Sequence, residues 1–448
     1  MVTQSPPAPR LFYGWIVMVA CLLVTMVSSG TMMAFGVFIN PMSADLGWSH
    51  SVLSFSYAVS SIVSGVGILA VGSMLHVYSI RALLFWGCVI HGLGLYMTST
   101  VTTVAMFYFW YGFVSSVGRS VFILVSTTLI TRWFVKRRGI AMGITMSGSG
   151  LGPFILSPVV TWMILRWDWQ TAFVMQATVM TVVVALMCLV LRNYPHDMGL
   201  QPYGAEPDEP AAPKPEPAPH RTPPKSTAAT DSIGQLWRRV LRMEGFWTLS
   251  MINFFCCMCH SIPLVHVVSF AESSGLSAFA AAWVLSLMSL SSIAGRIVWG
   301  VFADRHGVRL TLFFTLFIQG ALVLWLVNTQ DPIMFFLYAV VWGFGFGGVN
   351  TQYGVVAREL YGARHFGPGF SGQMCFAMVG MAAGGFLGGY LYDLSSSYVA
   401  SWLVSFGSGL ISSFLAMDLL VQNERIKAKA AQAAAVTDKP QPAHAAGD

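Results

Sequence analysis

The chain has 448 residues, of which 55% are hydrophobic and only 9% are charged, with a formal net charge of +6. A soluble protein carries about a quarter charged residues because its surface must face water, so this composition excludes an ordinary soluble domain. The apolar runs are long and continuous, which favours membrane helices over the short alternating strands of a barrel. Nucleic-acid binding is not indicated either, because nearly every Lys and Arg falls in a short connection or a tail.

Twelve runs of about 20 mostly apolar residues are long enough to cross a bilayer as helices. Short segments repeat between the first six runs and the last six, such as 72–81 with 300–309. We therefore predict an all-α membrane protein with twelve transmembrane helices in two pseudo-symmetric halves of six. The predicted spans are 13–38, 51–73, 82–100, 105–130, 139–163 and 171–191, followed by 246–271, 278–303, 309–328, 333–356, 369–392 and 397–421.

The two halves, 1–192 and 243–422, are separated by a polar segment, 193–242, that is rich in Pro, Ala, Lys and Glu. Such a segment cannot bury a core, so we predict an extended or disordered linker. Residues 237–243, at the junction with the second half, combine a Trp with several Arg and predict a short helix at the membrane interface. A basic tail at 423–448 completes the chain.

The basic residues are distributed unequally between the two sides of the predicted bundle. One side carries only Arg166. Because Lys and Arg are retained in the cytoplasm, we expect a multi-pass protein of the cell (inner) membrane, with both termini and the linker inside. We expect it to be a monomer. The cytoplasmic set comprises Arg10, Arg81, Arg132, Lys136, Arg137, Arg138, the linker, Arg305, Arg309, Arg358, Arg364 and the tail.

Two spans are rich in glycine. Span five contains Gly148 and Gly152, and span eleven contains Gly380, Gly384 and Gly388. Small residues at four-residue spacing let helices pack closely, so we predict that these glycines form packing faces.

Residues 300–309, with the sequence GVFADRHGVR, resemble the loop motif of the major facilitator superfamily. The resemblance implies a fold of twelve helices, in agreement with the span count. It also implies that Asp304, Arg305 and Arg309 form a conformational latch at the cytoplasmic end of span eight. The copy in the first half is degraded, with His76 and Val77 where the Asp and Arg would be.

Within that superfamily the chain is similar to the monocarboxylate-porter branch and its bacterial relatives. The similarity rests on Gly14-Trp15, on 35–38 (FGVF), on 46–49 (LGWS), on 134–143 (FVKRRGIAMG) and on 195–204 (PHDMGLQPYG). It implies a secondary carrier of lactate- or pyruvate-like acids, often coupled to protons. The related oxalate–formate exchangers are an alternative. The acidic residue that the family often has in or before span one is missing here.

Two cations lie inside predicted spans, Arg119 in span four and Arg296 in span eight. A charge at a helix centre costs about 2.5–3.5 kcal/mol on insertion scales, so each is a candidate functional group. No Asp or Glu stands at comparable depth. An anionic substrate would supply the missing partner, and the guanidinium fork suits a carboxylate. The resemblance also implies that Arg296 binds the substrate carboxylate, although Ser292 replaces the acid that the family often has one turn earlier. Alternatively, either Arg bonds helix carbonyls or extends to water.

Further polar side chains complete the candidate site. Asn350 and Tyr353 put polar groups on span ten, and we include them in substrate binding. His260 on span seven is the candidate proton carrier, because histidine changes charge near neutral pH; a satisfied core histidine is the alternative. Cys256, Cys257 and Cys259 lie beside it, but one helix cannot turn neighbouring positions toward one ion, so no metal site is predicted.

We therefore predict a secondary active transporter of small organic anions, with monocarboxylates carried by proton-coupled alternating access. The first alternative is an anion exchanger, which needs no titrating group. The second is a non-transporting membrane sensor, which would require an added signalling domain. Enzyme activity is disfavoured because no nucleophile with a base, paired carboxylates or metal cluster is present. No cofactor is expected, and the expected partners are the anion, the bilayer and, for symport, protons.

Overall fold

The computed structural model of the protein describes residues 12–75, 78–205 and 233–437. Within these ranges the side chains of 73, 233–236, 244, 350, 363–364 and 422–437 are not described.

Twelve helices in these ranges are long and apolar enough to cross a membrane, which confirms the predicted count and the all-α class. We number these spans one to twelve. They are Tyr13–Leu46, His50–Gly72, Ile80–Thr98, Val104–Trp133, Arg138–Arg166, Trp169–Val190, Gly245–Ser273, Ala278–His306, Val308–Asn328, Pro332–Gly362, His365–Ser395 and Val399–Val421.

Span one is longer than predicted and consists of two helices. Tyr13–Met33 and Phe35–Leu46 meet at Ala34, and the second helix ends on Gly47. Gly47 has φ 67°, in the left-handed region that glycine adopts without strain at helix ends. Span one was predicted to end at position 38. In the structure it continues to Leu46 and therefore includes Asn40.

Span four contains an irregularity that the sequence did not predict. A short helix, Val104–Phe107, leads into a π-helix at Tyr108–Ser115, and the α-helix Ser116–Trp133 follows. π-helical turns are rare and often occur at functional sites. This one ends one turn before Arg119.

Spans ten and eleven run into each other within the helical segment Pro332–Ser395. The break between them is Gly362, with φ 66° and ψ 169°, a conformation that side chains disfavour. The remaining helices are 3₁₀ turns at Pro195–Met198 and Leu324–Asn328, a short helix at Ile233–Leu241, and a last helix that extends to Thr437.

The short helix Ile233–Leu241 covers most of the segment for which an interfacial helix was predicted. Val240 is fully buried and Trp237 lies against Gly372 of span eleven, while Arg238 is exposed. Residues 206–232, the greater part of the predicted linker, lie outside the described residues.

The described parts of the two halves meet along three pairs of spans: two with eleven, five with eight, and the second helix of span one with span seven. Span eleven uses two glycine faces for this. Gly380 and Gly384 lie against the backbone of span seven, whereas Gly385 and Gly389 lie against span two. A Cβ on Gly389 would sit 2.6 Å from the His50 carbonyl oxygen. The glycines thus allow the close packing predicted from their spacing.

Two family-like motifs contact each other at the end of the bundle that carries the loops after spans two, four and eight, which we call the basic end. The Val135 and Lys136 amides donate to the Tyr203 carbonyl (3.1 and 3.0 Å), and the Tyr203 amide donates to the Trp133 carbonyl (2.9 Å). The Tyr203 ring lies 5.4 Å from the Phe12 ring and 5.6 Å from the Trp15 ring, centroid to centroid. The chain after span six therefore fastens the loop between spans four and five.

We expect Tyr203→Ala to lower the free energy of unfolding by about 1–3 kcal/mol, less than the ~3–5 kcal/mol of a fully buried aromatic because Tyr203 is only half-buried. Thermal unfolding of the purified protein in detergent measures it. The matched control is Tyr96→Ala, since Tyr96 is 47% exposed. Equal melting temperatures for the two variants would contradict a fastening role.

Candidate functional site

A cavity of about 130 Å³ lies between the two halves, at the contact of spans five and eight. Its wall comes from both halves, with small polar groups and apolar side chains around one cation, Arg296. The lining residues are Ser29, Met33, Ser149, Pro153, Leu264, Met288, Ser289, Ser292, Arg296 and Phe346.

Arg296 reaches from span eight across the cavity to span five. Its Nη1 donates to the Met146 carbonyl oxygen and to Ser149 Oγ, both at 2.8 Å. Both partners are neutral, and no described Asp or Glu lies within ion-pair distance of the guanidinium. The bonds use Nη1 only, so Nε and Nη2 keep their donors for another group.

Ser292 lies one turn before Arg296 and also lines the cavity. It is buried, and its hydroxyl donates to the Ser289 carbonyl of its own helix at 2.7 Å. Because a serine hydroxyl is uncharged, Ser292 does not neutralise Arg296.

Arg119 lies inside the first half, 9% exposed. Its Nη2 donates to Ser60 Oγ at 2.9 Å and to Ser64 Oγ at 2.8 Å, on successive turns of span two. These partners are neutral too. Arg119 does not line the cavity around Arg296.

Two tyrosines extend the Arg119 environment. The rings of Tyr57 and Tyr111 lie 6.1 and 5.0 Å from the Phe35 ring, and both interact electrostatically with the Arg119 guanidinium. Their hydroxyls are buried and make no hydrogen bond to a described residue. Arg119 is therefore surrounded by neutral hydroxyls, two of them with donors still to be satisfied.

Sequence reasoning missed His91 of span three, which packs beside the π-helix. Its Nδ1 lies 2.8 Å from the Ser115 carbonyl oxygen, and its Nε2 lies 3.4 Å from Thr31 Oγ1. A carbonyl only accepts, so Nδ1 carries a proton. His91 could have been identified from the sequence, because an ionisable residue within a span is a functional candidate, as the two arginines were.

His260 is buried in the second half, near the cavity but not on its wall. Its Nδ1 lies 3.8 Å from Cys256 Sγ, and its ring lies 5.0 Å from the ring of Phe346, which lines the cavity. His266 is different, because its Nε2 lies 2.8 Å from the Gly385 carbonyl and this bond fixes it to span eleven.

The span-ten candidates lie apart from the cavity wall. Tyr353 is 1% exposed and packs in the apolar core of the second half, with Val349 and Val356. The Asn350 side chain lies outside the described residues, and only its helical backbone is described.

The three latch candidates lie at the basic end, Asp304 and Arg305 in the last turn of span eight and Arg309 in the first turn of span nine. Asp304 and Arg305 are exposed. Arg309 pairs through Nε with Glu359 Oε2 at 3.2 Å, and its Nη1 donates to the Leu419 carbonyl at 3.4 Å. The described contacts of Arg309 therefore join spans nine, ten and twelve within one half.

Within the described ranges, no group of three or more His, Cys, Asp and Glu side chains is arranged to hold a metal ion. The cysteines are free thiols, and all except Cys375 are buried.

The sequence matches the family model described as Major Facilitator Superfamily over residues 21–293 and 249–444. Similar proteins include monocarboxylate transporter 13 of Rattus norvegicus, 24% identical over 424 residues, with 90% of this chain and 88% of the relative covered. Monocarboxylate transporter 12 of Homo sapiens is 24% identical over 430 residues, with 92% and 81% covered. Both relatives are animal proteins.

Solved structures of similar fold include a mutant of the nucleoside transporter NupG, with a TM-score of 0.69, 13% identity, and 91% of this chain and 99% of that chain covered. A second is a bacterial homologue of the human lysosomal transporter Spinster, with a TM-score of 0.64, 12% identity, and 92% and 96% covered. These similarities extend over nearly the whole chain and show the fold.

The Arg119 environment yields a stability prediction. We expect the double variant Ser60→Ala, Ser64→Ala to lower the free energy of unfolding by about 1–3 kcal/mol for each lost partner, because the guanidinium would keep unsatisfied donors in the interior. Thermal unfolding in detergent measures it. The control is Ser147→Ala, whose hydroxyl bonds only the Gly143 carbonyl of its own helix. An unchanged melting temperature in the double variant would show that other groups satisfy Arg119.

Proposed function

The chain belongs to the major facilitator superfamily, and we propose that it is a secondary active carrier of small organic anions, with monocarboxylates of the lactate or pyruvate kind as substrates. The observation that carries the proposal is the pair of interior guanidiniums, Arg119 and Arg296, whose described partners are all neutral oxygens. The monocarboxylate transporters among its relatives point in the same direction.

A cation taken out of water costs several kcal/mol unless a counter-charge and further hydrogen bonds compensate it. Hydroxyls and carbonyls provide hydrogen bonds for Arg296 but no negative charge. A carboxylate bound side-on to Nε and Nη2 would provide both, in the bidentate geometry that guanidinium favours.

The cavity size supports a small acid. A cavity of about 150 Å³ accommodates benzene, which has six heavy atoms. The cavity at Arg296 measures about 130 Å³. Lactate and pyruvate also have six heavy atoms each, whereas a nucleoside or a sugar would require the halves to move apart.

We propose that transport follows alternating access, with the two halves rocking about the Arg296 contact. The basic loops support an orientation with the basic end in the cytoplasm. We call the end of the bundle that lies away from the basic end the opposite end. The described contacts between the halves begin there and reach to two residue pairs, Arg296 with Met146 and Gly65 with Met378. We assign this arrangement to the state that is closed at the opposite end.

The coupling has two alternatives. In proton symport, His260 carries the proton, and its ring contact with Phe346 would connect it to the cavity wall. In anion exchange, a second anion returns through the same site. Ser292, which stands where the family often has a carboxylate, favours exchange. A non-transporting sensor receives less support, since the relatives that match about nine tenths of the chain are named as transporters.

We expect Arg296→Gln to lower the initial rate of labelled lactate or pyruvate uptake into proteoliposomes by about 10- to 150-fold, because a charge-assisted bond contributes about 1.5–3 kcal/mol. The control is Arg166→Gln, an exposed Arg at the opposite end, which should transport normally. Parental uptake by the Arg296→Gln variant would exclude the substrate assignment, and uptake of oxalate alone would favour the exchanger.

A second experiment separates symport from exchange. For a symporter, an inward proton gradient drives accumulation of labelled lactate into vesicles without internal anion, and we expect His260→Gln to abolish that accumulation but to keep lactate exchange. His196→Gln, a change of a partly exposed histidine outside the spans, serves as control. If parental vesicles take up lactate only when preloaded with anion, the proton role of His260 is wrong and the protein is an exchanger.

A further inference from the structure

A group of polar side chains joins the two halves at the opposite end of the bundle. Asn40 and His50 come from the first half, and Glu272 and Asp393 come from the second. We call these four residues the polar seal. Among the described residues, His50 and Asp393 are the only ionisable pair within 4.0 Å that connects the halves.

Asp393 fixes the start of span two from the other half. Its Oδ1 accepts from the His50 amide at 3.1 Å, and its Oδ2 accepts from the Ser51 amide at 2.7 Å. These amides belong to the first turn of the helix and have no partner within it, and a carboxylate there also interacts favourably with the helix dipole. Gly389, one turn before Asp393, makes the approach possible because it has no Cβ.

The tautomer of His50 follows from its neighbours. The Asn40 Nδ2 donates to a Glu272 carboxylate oxygen, so the Asn40 Oδ1 faces His50. His50 Nε2 lies 3.2 Å from that Oδ1, and an amide oxygen only accepts, so Nε2 carries a proton. In neutral His50, Nδ1 is then bare.

Nδ1 is the atom that faces the other half, 3.9 Å from Asp393 Oδ1. A bare nitrogen lone pair opposite a carboxylate gives no attraction. A proton on Nδ1 converts this contact into an ion pair across the halves, while the bond from Nε2 to Asn40 stays in place.

The other charged and titratable groups around His50 come from three spans. Tyr392 of span eleven packs on the imidazole, with ring centroids 4.5 Å apart. Glu272 and His266 face it from span seven, and Tyr398 lies behind Tyr392 at the start of span twelve. The two nearest carboxylates, Asp393 and Glu272, thus supply the negative charge that a protonated His50 needs.

Water reaches the seal through a cavity of about 370 Å³. The His50 and Asp393 side chains keep 15% and 24% of their surface exposed. A proton from the solution at that end can therefore reach Nδ1 while the halves are in contact. The lining residues are Asn40, Ser43, Ala44, His50, Ser269, Glu272, Ser273 and Tyr392.

We propose that the polar seal is a proton-binding gate: a proton taken up on His50 Nδ1 pairs with Asp393 and locks the halves together at the opposite end, and its loss releases them. The inference rests on the alternating access of the proposed function and adds a proton-controlled step to it. With the basic end in the cytoplasm, external acid closes the outer gate. The step moves one proton from water to the imidazole and changes no other bond.

The test uses a cysteine reporter in the purified full-length chain. Ser269 lines the cavity, is 2% exposed, and has a hydroxyl without a described partner, so Ser269→Cys should be tolerated and should react with a hydrophilic thiol reagent only when the seal opens. Ser273→Cys, at an exposed position of the same cavity, reports how the thiol itself responds to pH. The measured quantity is the ratio of the two labelling rates.

We expect this ratio to rise about tenfold from about pH 5.5 to about pH 8, the range in which histidine changes charge. His50→Gln retains an N–H for Asn40 but cannot gain a charge, so its ratio should not depend on pH. Asp393→Asn should give a high ratio throughout. His306→Gln, at the basic end, should behave as the parent does.

An unchanged pH response in His50→Gln would overturn the proposal, as would a flat response in the parent. Size-exclusion chromatography shows whether the His50→Gln protein is misfolded. If it is, the Asp393→Asn variant tests the proposal, since a parental pH response in that variant also overturns the gate. No substrate enters the measurement. Failure of the gate is therefore distinguishable from failure of carboxylate transport in proteoliposomes.

Discussion

The interior of a lipid-facing bundle offers no water to a buried charge, and this constraint governs the centre of the molecule. For Arg119 and Arg296 the burial is only partly compensated. Hydroxyls and carbonyls accept from some of their donors, but no described residue provides a counter-ion for the charge. A folded protein keeps such a deficit where function requires it. In the proposed function, an anion that enters between the halves corrects the deficit, and it does so only in the conformations that admit it.

Much of the fold follows from the sequence, because span length and hydropathy are local properties. Twelve runs gave twelve spans, and glycine spacing indicated the close contacts of span eleven. The errors occur where packing overrides local preference. Span one is interrupted at Ala34 and continues to Leu46 although Pro41 lies within its second helix, and a π-helix occupies Tyr108–Ser115.

The candidate site was predictable to the extent that charge made it visible. A single Arg in an apolar run is conspicuous, so Arg119 and Arg296 were identified at once. Ser60 and Ser64 were not, because serine is common in membrane helices and only the packing of span two on span four brings them to the guanidinium. The same holds for Met146, which binds Arg296 through a backbone carbonyl and therefore leaves no trace in the side-chain pattern.

The seal and the Arg119 environment are connected through one rigid element. His50, Tyr57 and Ser64 follow each other at seven-residue intervals on span two, and seven residues make almost two turns of a helix, so the three share one face. At about 1.5 Å per residue, roughly 21 Å separate His50 from Ser64. If Asp393 releases the first turn of span two, the helix leaves span eleven as a unit and carries Tyr57 and the serines with it. Under the proposed gate, opening at the far end therefore changes the hydroxyl environment of Arg119, and a proton on His50 and a substrate anion at the centre would be energetically linked in both directions.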